Sequence, residues 1–187
     1  MRNGDSEPYQ YDVHGNMVRM PHLGNAPTEP NMHWDYKDQL HQVDLVGGGT
    51  AYYVYDAAGQ RVRKVTENAN GDVQDERIYL GGFELYREYH GNNAGLVRET
   101  LHIMDDKQRI VLVETRNEVD DGTAMQLIRY QIGNHLGSAS LELNEQAEII
   151  SYEEYFPYGS TSYQAVDKEM KAAAKRYRYT GKERDEE

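Results

Sequence analysis

The chain has 187 residues, enough for one domain with a core of its own, and 38% of them are hydrophobic. Its formal net charge of −12 argues against the basic face that phosphate backbones and anionic membrane surfaces require. The lack of cysteine excludes disulfides, thiolate metal sites and thiol catalysis. There are 16 Tyr against 2 Phe and 1 Trp. Tyrosine packs its ring on a pleated surface while its hydroxyl reaches water or a polar partner, so this bias points to half-wet sheets with thin cores.

In chain order, the polar stretch Met1 to Gln10 lacks the apolar centre of a signal peptide, and no run of about 18 apolar residues follows it. Met20 to Met32 carries Pro21, Pro27 and Pro30 and reads as a loop, because proline cannot donate to a sheet ladder. Ala51 to Tyr55 and Gln60 to Thr66 alternate as strands around Asp56-Ala-Ala-Gly59, and Asn68 to Asp72 is a turn that tolerates positive φ. Gly81-Gly82 joins Glu76–Leu80 to Phe83–Tyr89, and the 105–108 segment joins Val97–Met104 to Arg109–Thr115. Leu127–Ile132, Ser138–Leu143 and Glu148–Phe156 form a meander with turns at 133–137 and 144–147. The expected fold is an all-β antiparallel meander of about nine to eleven strands. One exception is a short helix over 165–177, rich in Lys, Ala, Glu and Met and capped by Asp167, with the basic residues from Lys168 to Arg178 on a solvated face.

Regular strand spacing invites a search for repeats. Tyr11-Asp12-Val-His-Gly15-Asn and Tyr55-Asp56-Ala-Ala-Gly59-Gln share one pattern, and Trp34-Asp-Tyr and Tyr155-Phe-Pro157-Tyr-Gly159 follow it more loosely. Tyr ends a strand, Asp makes an Asx-type turn, Gly takes the left-handed position, and a new strand leaves. These units resemble the Rhs/YD-repeat family, whose signature is Tyr-Asp-x-x-Gly. Further matches are Tyr130 to Ala139, containing His135-Leu136-Gly137; Tyr152 to Gly159, containing Tyr155, Pro157 and Gly159; Arg176 to Asp185, containing Gly181; and Glu76 to Arg87, which looks like the Rhs segment of insecticidal toxin-complex proteins.

The resemblance implies a strand ribbon that spirals into a β-shell and encloses a cytotoxic C-terminal domain. It divides the chain into repeat strands at 1–125 and a repeat-associated core segment at 126–187. The family continues, after the point where this chain stops at Glu186-Glu187, with a Tyr-rich strand and an Asp-Pro autoprotease motif, so neither protease nor toxin is expected here. The implied partners are the remaining shell segments and the enclosed toxin, the implied location is secreted or at the bacterial cell surface, and an isolated segment with open edges is expected to self-associate.

Candidate chemistry is sparse. His135 lies in a Gly-rich turn and is read as pinning that turn, since no second ligand stands at metal spacing beside it. The pairs Asp105-Asp106, Asp120-Asp121 and Glu153-Glu154 offer two carboxylates each, yet the first two fall in turns that favour Asp for backbone reasons. Gly47-Gly-Gly49 lacks the context of a phosphate cradle. The expectation is a non-enzymatic module with no cofactor and no metal. The alternative is an extracellular adhesion module in which Tyr52, Tyr53, Tyr86 and Tyr89 stack on a surface glycan, or which binds a partner protein.

Overall fold

The computed structural model describes residues 9–185 apart from positions 25, 27 and 107. The chain start before Tyr9, Pro27 of the proline-bearing loop, Lys107 of the 105–108 turn and the closing Glu186-Glu187 lie outside the described residues. Strands β1 (Gln10–Tyr11) and β2 (Met17–Arg19) pair as a short hairpin. The twelve that follow form an antiparallel sheet whose order is the order of the chain. These are β3 (Met32–Trp34), β4 (Leu40–Asp44), β5 (Thr50–Tyr55), β6 (Arg61–Glu67), β7 (Val73–Leu80), β8 (Phe83–Glu88), β9 (Val97–Asp105), β10 (Gln108–Arg116), β11 (Gln126–Gly133), β12 (Ala139–Leu143), β13 (Ile149–Tyr155) and β14 (Thr161–Val166). Sequence reading counts fewer strands because β1 to β3 are too short to show alternation.

Six of the turns between strands share one construction, while those starting at Leu45 and Phe156 close through backbone hydrogen bonds with no Asx acceptor. At Asp12, Asp35 and Asp56 the side-chain Oδ1 accepts the backbone N–H groups two and four residues on, at 2.8–3.0 Å. Asn68, Asn134 and Asn144 do the same. The residue three positions on then has positive φ: Gly15, Asp38, Gly59, Gly71, Gly137 and Ala147 respectively. The aspartate of the Tyr-Asp signature and the asparagines elsewhere are therefore the same device, a side-chain acceptor that closes the turn in place of a backbone carbonyl.

Contacts divide the chain into two compact units, one running to Tyr79 and including Glu88–Gly91, the other made of Leu80–Arg87 and the residues from Asn92 on. The first has an apolar core of Leu23, Val43, Ala51 and Tyr53, with Met20, Met32, Leu40, Leu45 and Tyr55 packed against it. Its proline-bearing loop is held from inside: buried Asn31 donates to Met20 O and Leu23 O, and Arg19 donates to Ala26 O and Glu29 O. The Arg61 guanidinium lies 5.3 Å from the ring centres of both Tyr53 and Tyr79.

The second unit corrects the expectation of a helix. Thr161–Val166 is strand β14, paired with β13, and within 165–177 helical geometry is limited to a three-residue 3-10 turn at Lys168–Met170 that Asp167 caps by accepting from Glu169 N; a second 3-10 turn follows at Tyr179–Gly181. From Lys171 the chain runs as an irregular strap, closed by a bridge between Tyr177 and Glu183. Helix propensity amounts to at most about 0.7 kcal/mol per ordinary residue, and the strap's cations find stronger partners when the backbone is extended. Lys168 and Lys171 are exposed, but the other three do not form a solvated face: the side chains of Lys175, Arg176 and Arg178 retain 3%, 12% and 14% of their exposure.

Candidate functional site

The strap covers one face of strands β8 to β13, and that face is charged. Alternation along β9 buries Arg98, Thr100 and His102, and the register places Glu84 of β8 opposite Thr100. Glu114 of β10, Arg129 and Gln131 of β11, Glu142 of β12, and Ser151 and Glu153 of β13 continue the row, all buried. A buried carboxylate must be paired, and each of these is, Glu84, Glu142 and Glu153 with hydrogen bonds as well.

Glu84 is 2.7 Å from Arg176 Nη1, accepts from the Tyr177 hydroxyl, and lies 2.8 Å from His102 Nε2. Arg109 Nε donates to His102 Nδ1 at 2.7 Å, which puts the imidazole proton on Nε2, facing Glu84. The Arg109 guanidinium also stacks 3.6 Å over the Tyr177 ring. Burial pushes the Glu84 carboxyl up, but His102, Arg176 and Tyr177 together outweigh it and hold the group well below the usual carboxylate range. Burial and the Glu84 charge beside it push the Tyr177 phenol far up, so it remains a donor.

At the centre, Arg129 reaches Glu114 at 2.7 Å and Glu142 at 3.4 Å and donates to the strap at Ala173 O. Glu142 also accepts from Gln131 Nε2 at 2.9 Å and from Ser151 Oγ at 2.6 Å. At the far end, Glu153 accepts from Arg178 and, at 2.7 Å, from Thr161 Oγ1, with Lys175 Nζ 3.4 Å away. Burial opposes the Glu153 charge, but these partners hold its carboxyl below the ordinary range, while burial pulls the Lys175 ammonium down. The row is a clamp, with carboxylates on the sheet and cations on the strap at its two ends and on β11 at its centre.

The opposite face of the same strands is apolar and open. Cross-strand pairs align Phe83, Leu101, Val113 and Ile128 in one row, Ile103, Val111, Tyr130 and Leu143 in a second, and Ile132, Leu141 and Tyr152 in a third. Leu101, Ile103, Tyr130, Ile132 and Tyr152 are exposed, by 38–50%. The unit thus buries its charged face and presents its apolar one.

No family model matches the sequence. Two curated relatives from Yersinia entomophaga, toxin subunits YenC1 and YenC2, are 32% and 31% identical over 163 residues, 81% of this chain. The chain spans 16% of the length of each. Among solved structures, the crystal structure of TcdB2-TccC3-TEV superposes with a TM-score of 0.76 at 26% identity, over 94% of this chain and 8% of that one. The chain belongs to the Rhs/YD-repeat family. Its relatives are toxin subunits, and its antiparallel sheet is the fold of their Rhs-shell neighbours.

Within this Rhs segment three of the sequence motifs meet. Arg178 O accepts from Ala139 N at 3.0 Å and Thr180 N donates to the buried Ser138 Oγ at 2.9 Å, which ties the strap to the turn of His135, Leu136 and Gly137. The Tyr179 ring lies against Gly159, where an added Cβ would come within 2.7 Å, and its hydroxyl donates to Pro157 O at 2.6 Å. Tyr155 donates to Ala139 O at 2.9 Å, and Tyr55 donates to Leu40 O at 2.8 Å in the first unit. Gly181 sits at φ +67, where the strap reverses. Tyr11, by contrast, is exposed at the end of β1.

Two readings of single residues change. Asn134, not His135, closes its turn, and the His135 ring is exposed. Tyr53 is 6% exposed and belongs to the core, on the opposite face of β5 from Tyr52, so these two do not share a platform. The clamp itself was hidden in the sequence. Glu153 stands out in the sequence only as half of an acid pair, and Glu84, Glu114 and Glu142 sit in alternating strands where polar positions read as the wet side.

Proposed function

We propose that this chain is a non-catalytic structural segment of an Rhs/YD-repeat shell that encloses a toxin polypeptide. The observation that carries the proposal is the apolar open face of β8 to β13. A domain working alone in water turns such a face inward. A wall whose inner side must meet another polypeptide benefits from leaving it open, and the clamped charged face keeps the wall rigid behind it. The identity of the relatives as toxin subunits supports the same reading.

On this reading the partners are the remaining shell segments and the enclosed toxin domain, and the assembly is secreted or carried at the bacterial surface. Residues 1–125 supply repeat strands and residues 126–187 the core segment, with Tyr11, Asp12, Gly15, Tyr55, Asp56, Gly59, Gly137, Tyr155, Gly159 and Gly181 serving as strand-end and turn formers. The polar residues that converge are matched to one another in the clamp rather than aimed at a substrate. Among the described residues no group of three acids or histidines could hold a metal ion, and no helix is long and apolar enough to cross a membrane.

The test is to express the complete protein encoded by the reading frame with a photo-crosslinking benzoylphenylalanine at Ile103 or Ile132, and at Glu145 in an exposed turn as control. The reading expects crosslinks from the first two positions to the polypeptide that follows the core, and none from Glu145. Absence of such crosslinks at Ile103 and Ile132 overturns it.

A further inference from the structure

Arg109 differs from five other arginines of its unit, which pair with acids. Arg98 pairs with Asp121, Arg116 with Asp120 and Asp121, Arg129 with Glu114 and Glu142, Arg176 with Glu84 and Glu183, and Arg178 with Glu153. Half-buried Arg109 has its Nε on His102 and its plane on Tyr177, and among the described residues no carboxylate lies within ion-pair distance of it. Burial pulls its pKa down, opposed by the more distant charges of Glu84 and Glu183.

Arg109 lines a cleft of about 500 Å³ at the ends of β10 to β12, together with Gln108, Gln131, Asn134, His135 and Lys182. Among the described residues lining it none is acidic, in a chain with 32 Asp and Glu against 20 Lys and Arg. Its cations and amides surround a floor that includes Met104 and Leu136. A guanidinium held edge-on by a stack and by its own Nε presents its two terminal nitrogens as a fork, which matches a carboxylate bidentately.

We propose that this cleft is a receptor for a carboxylate side chain of another polypeptide segment, with Arg109 as the fork and Lys182 as the second cation. The mixed apolar and amide lining fits the stem of a glutamate and the backbone beside it. Tyr177 and His102 act as positioning residues by fixing the plane of the guanidinium. The site lies within the second unit and stands whether or not the shell reading does.

The experiment is an NMR titration of the isotope-labelled 187-residue chain with N-acetylglutamate amide, with N-acetylglutamine amide and with inorganic phosphate. It follows the Arg109 Nε–H and the backbone amides of Gly133, Gly137 and Thr180. Saturable shifts with the glutamate probe alone, weakened roughly tenfold or more in Arg109→Gln and in Lys182→Gln, are expected, as for a charge-assisted pair. Lys182 is exposed, so its variant keeps the test decisive even where Arg109→Gln fails to fold. No saturable shift, an unchanged titration in the Lys182 variant, or saturation by phosphate but not by the glutamate probe overturns the proposal.

Discussion

At the scale of the residue, the second unit depends on carboxylates in places where a soluble sheet usually keeps aliphatics. Glu84, Glu142 and Glu153 are each 0–2% exposed, and each serves several donors. Removing one partner of a buried pair leaves the other uncompensated, at a cost of about 3–5 kcal/mol. Glu84→Gln is therefore expected to lower the urea midpoint sharply and to free the strap, so that trypsin cuts after Lys175 and Arg178, sites that burial protects in the parent. An unchanged digestion pattern would show that the strap holds without the clamp. The pH dependence has a definite sign. Glu84 and Glu153 are held below their ordinary range when folded, so the unfolded chain takes up protons first as the pH falls. The stability they lend is complete at neutral pH and is lost as the pH drops from about 4.3, the ordinary glutamate value, toward their native values. Urea midpoints measured from pH 7 to pH 3 should fall steeply in the parent and less steeply in Glu84→Gln.

At the scale of the element, the turn explains the repeat. The shared turn has an Asx acceptor first in six cases and a left-handed residue three positions later, and glycine meets the second need without steric cost. Ala147 occupies that position at φ +61 and Gly59 at φ +76. An L-residue in the left-handed region is disfavoured by about 1–2 kcal/mol, partly offset by glycine's greater entropy in the unfolded chain. Ala147→Gly is expected to raise the thermal midpoint slightly and Gly59→Ala to lower it, a pair of opposite shifts that calorimetry resolves. Equal shifts in the same direction would mean that side-chain contacts, not φ, set the turn.

At the scale of the whole molecule, the sheet ends in β14, whose residues Thr161–Val166 carry no charge, no proline and mostly exposed side chains. An uncharged edge without a protecting device is a template for another strand. The 187-residue chain is expected to show a light-scattering mass that rises with concentration, and Gln164→Lys is expected to suppress that rise. A monodisperse monomer at all concentrations would count against edge pairing. The open apolar face of β8 to β13 adds a second adhesive surface, which the shell proposal assigns to another polypeptide rather than to water.

The sequence by itself determined the longer strands from β5 to β13, the Asx turns and the family, because each is written within a few neighbouring residues. Alternation has a period of two, and the Tyr-Asp-x-x-Gly unit spans five positions. The 165–177 segment shows where that reach ends. Its alanines and lysines favour a helix locally, yet Lys175, Arg176 and Arg178 are taken by acids as far away as Glu84, 92 residues earlier in the chain. Only the tertiary structure decided which face of each strand is buried. Alternation separates polar from apolar positions but carries no label for inside, and here Arg129 and the strap's cations reverse the usual choice by neutralising a row of carboxylates that water would otherwise claim.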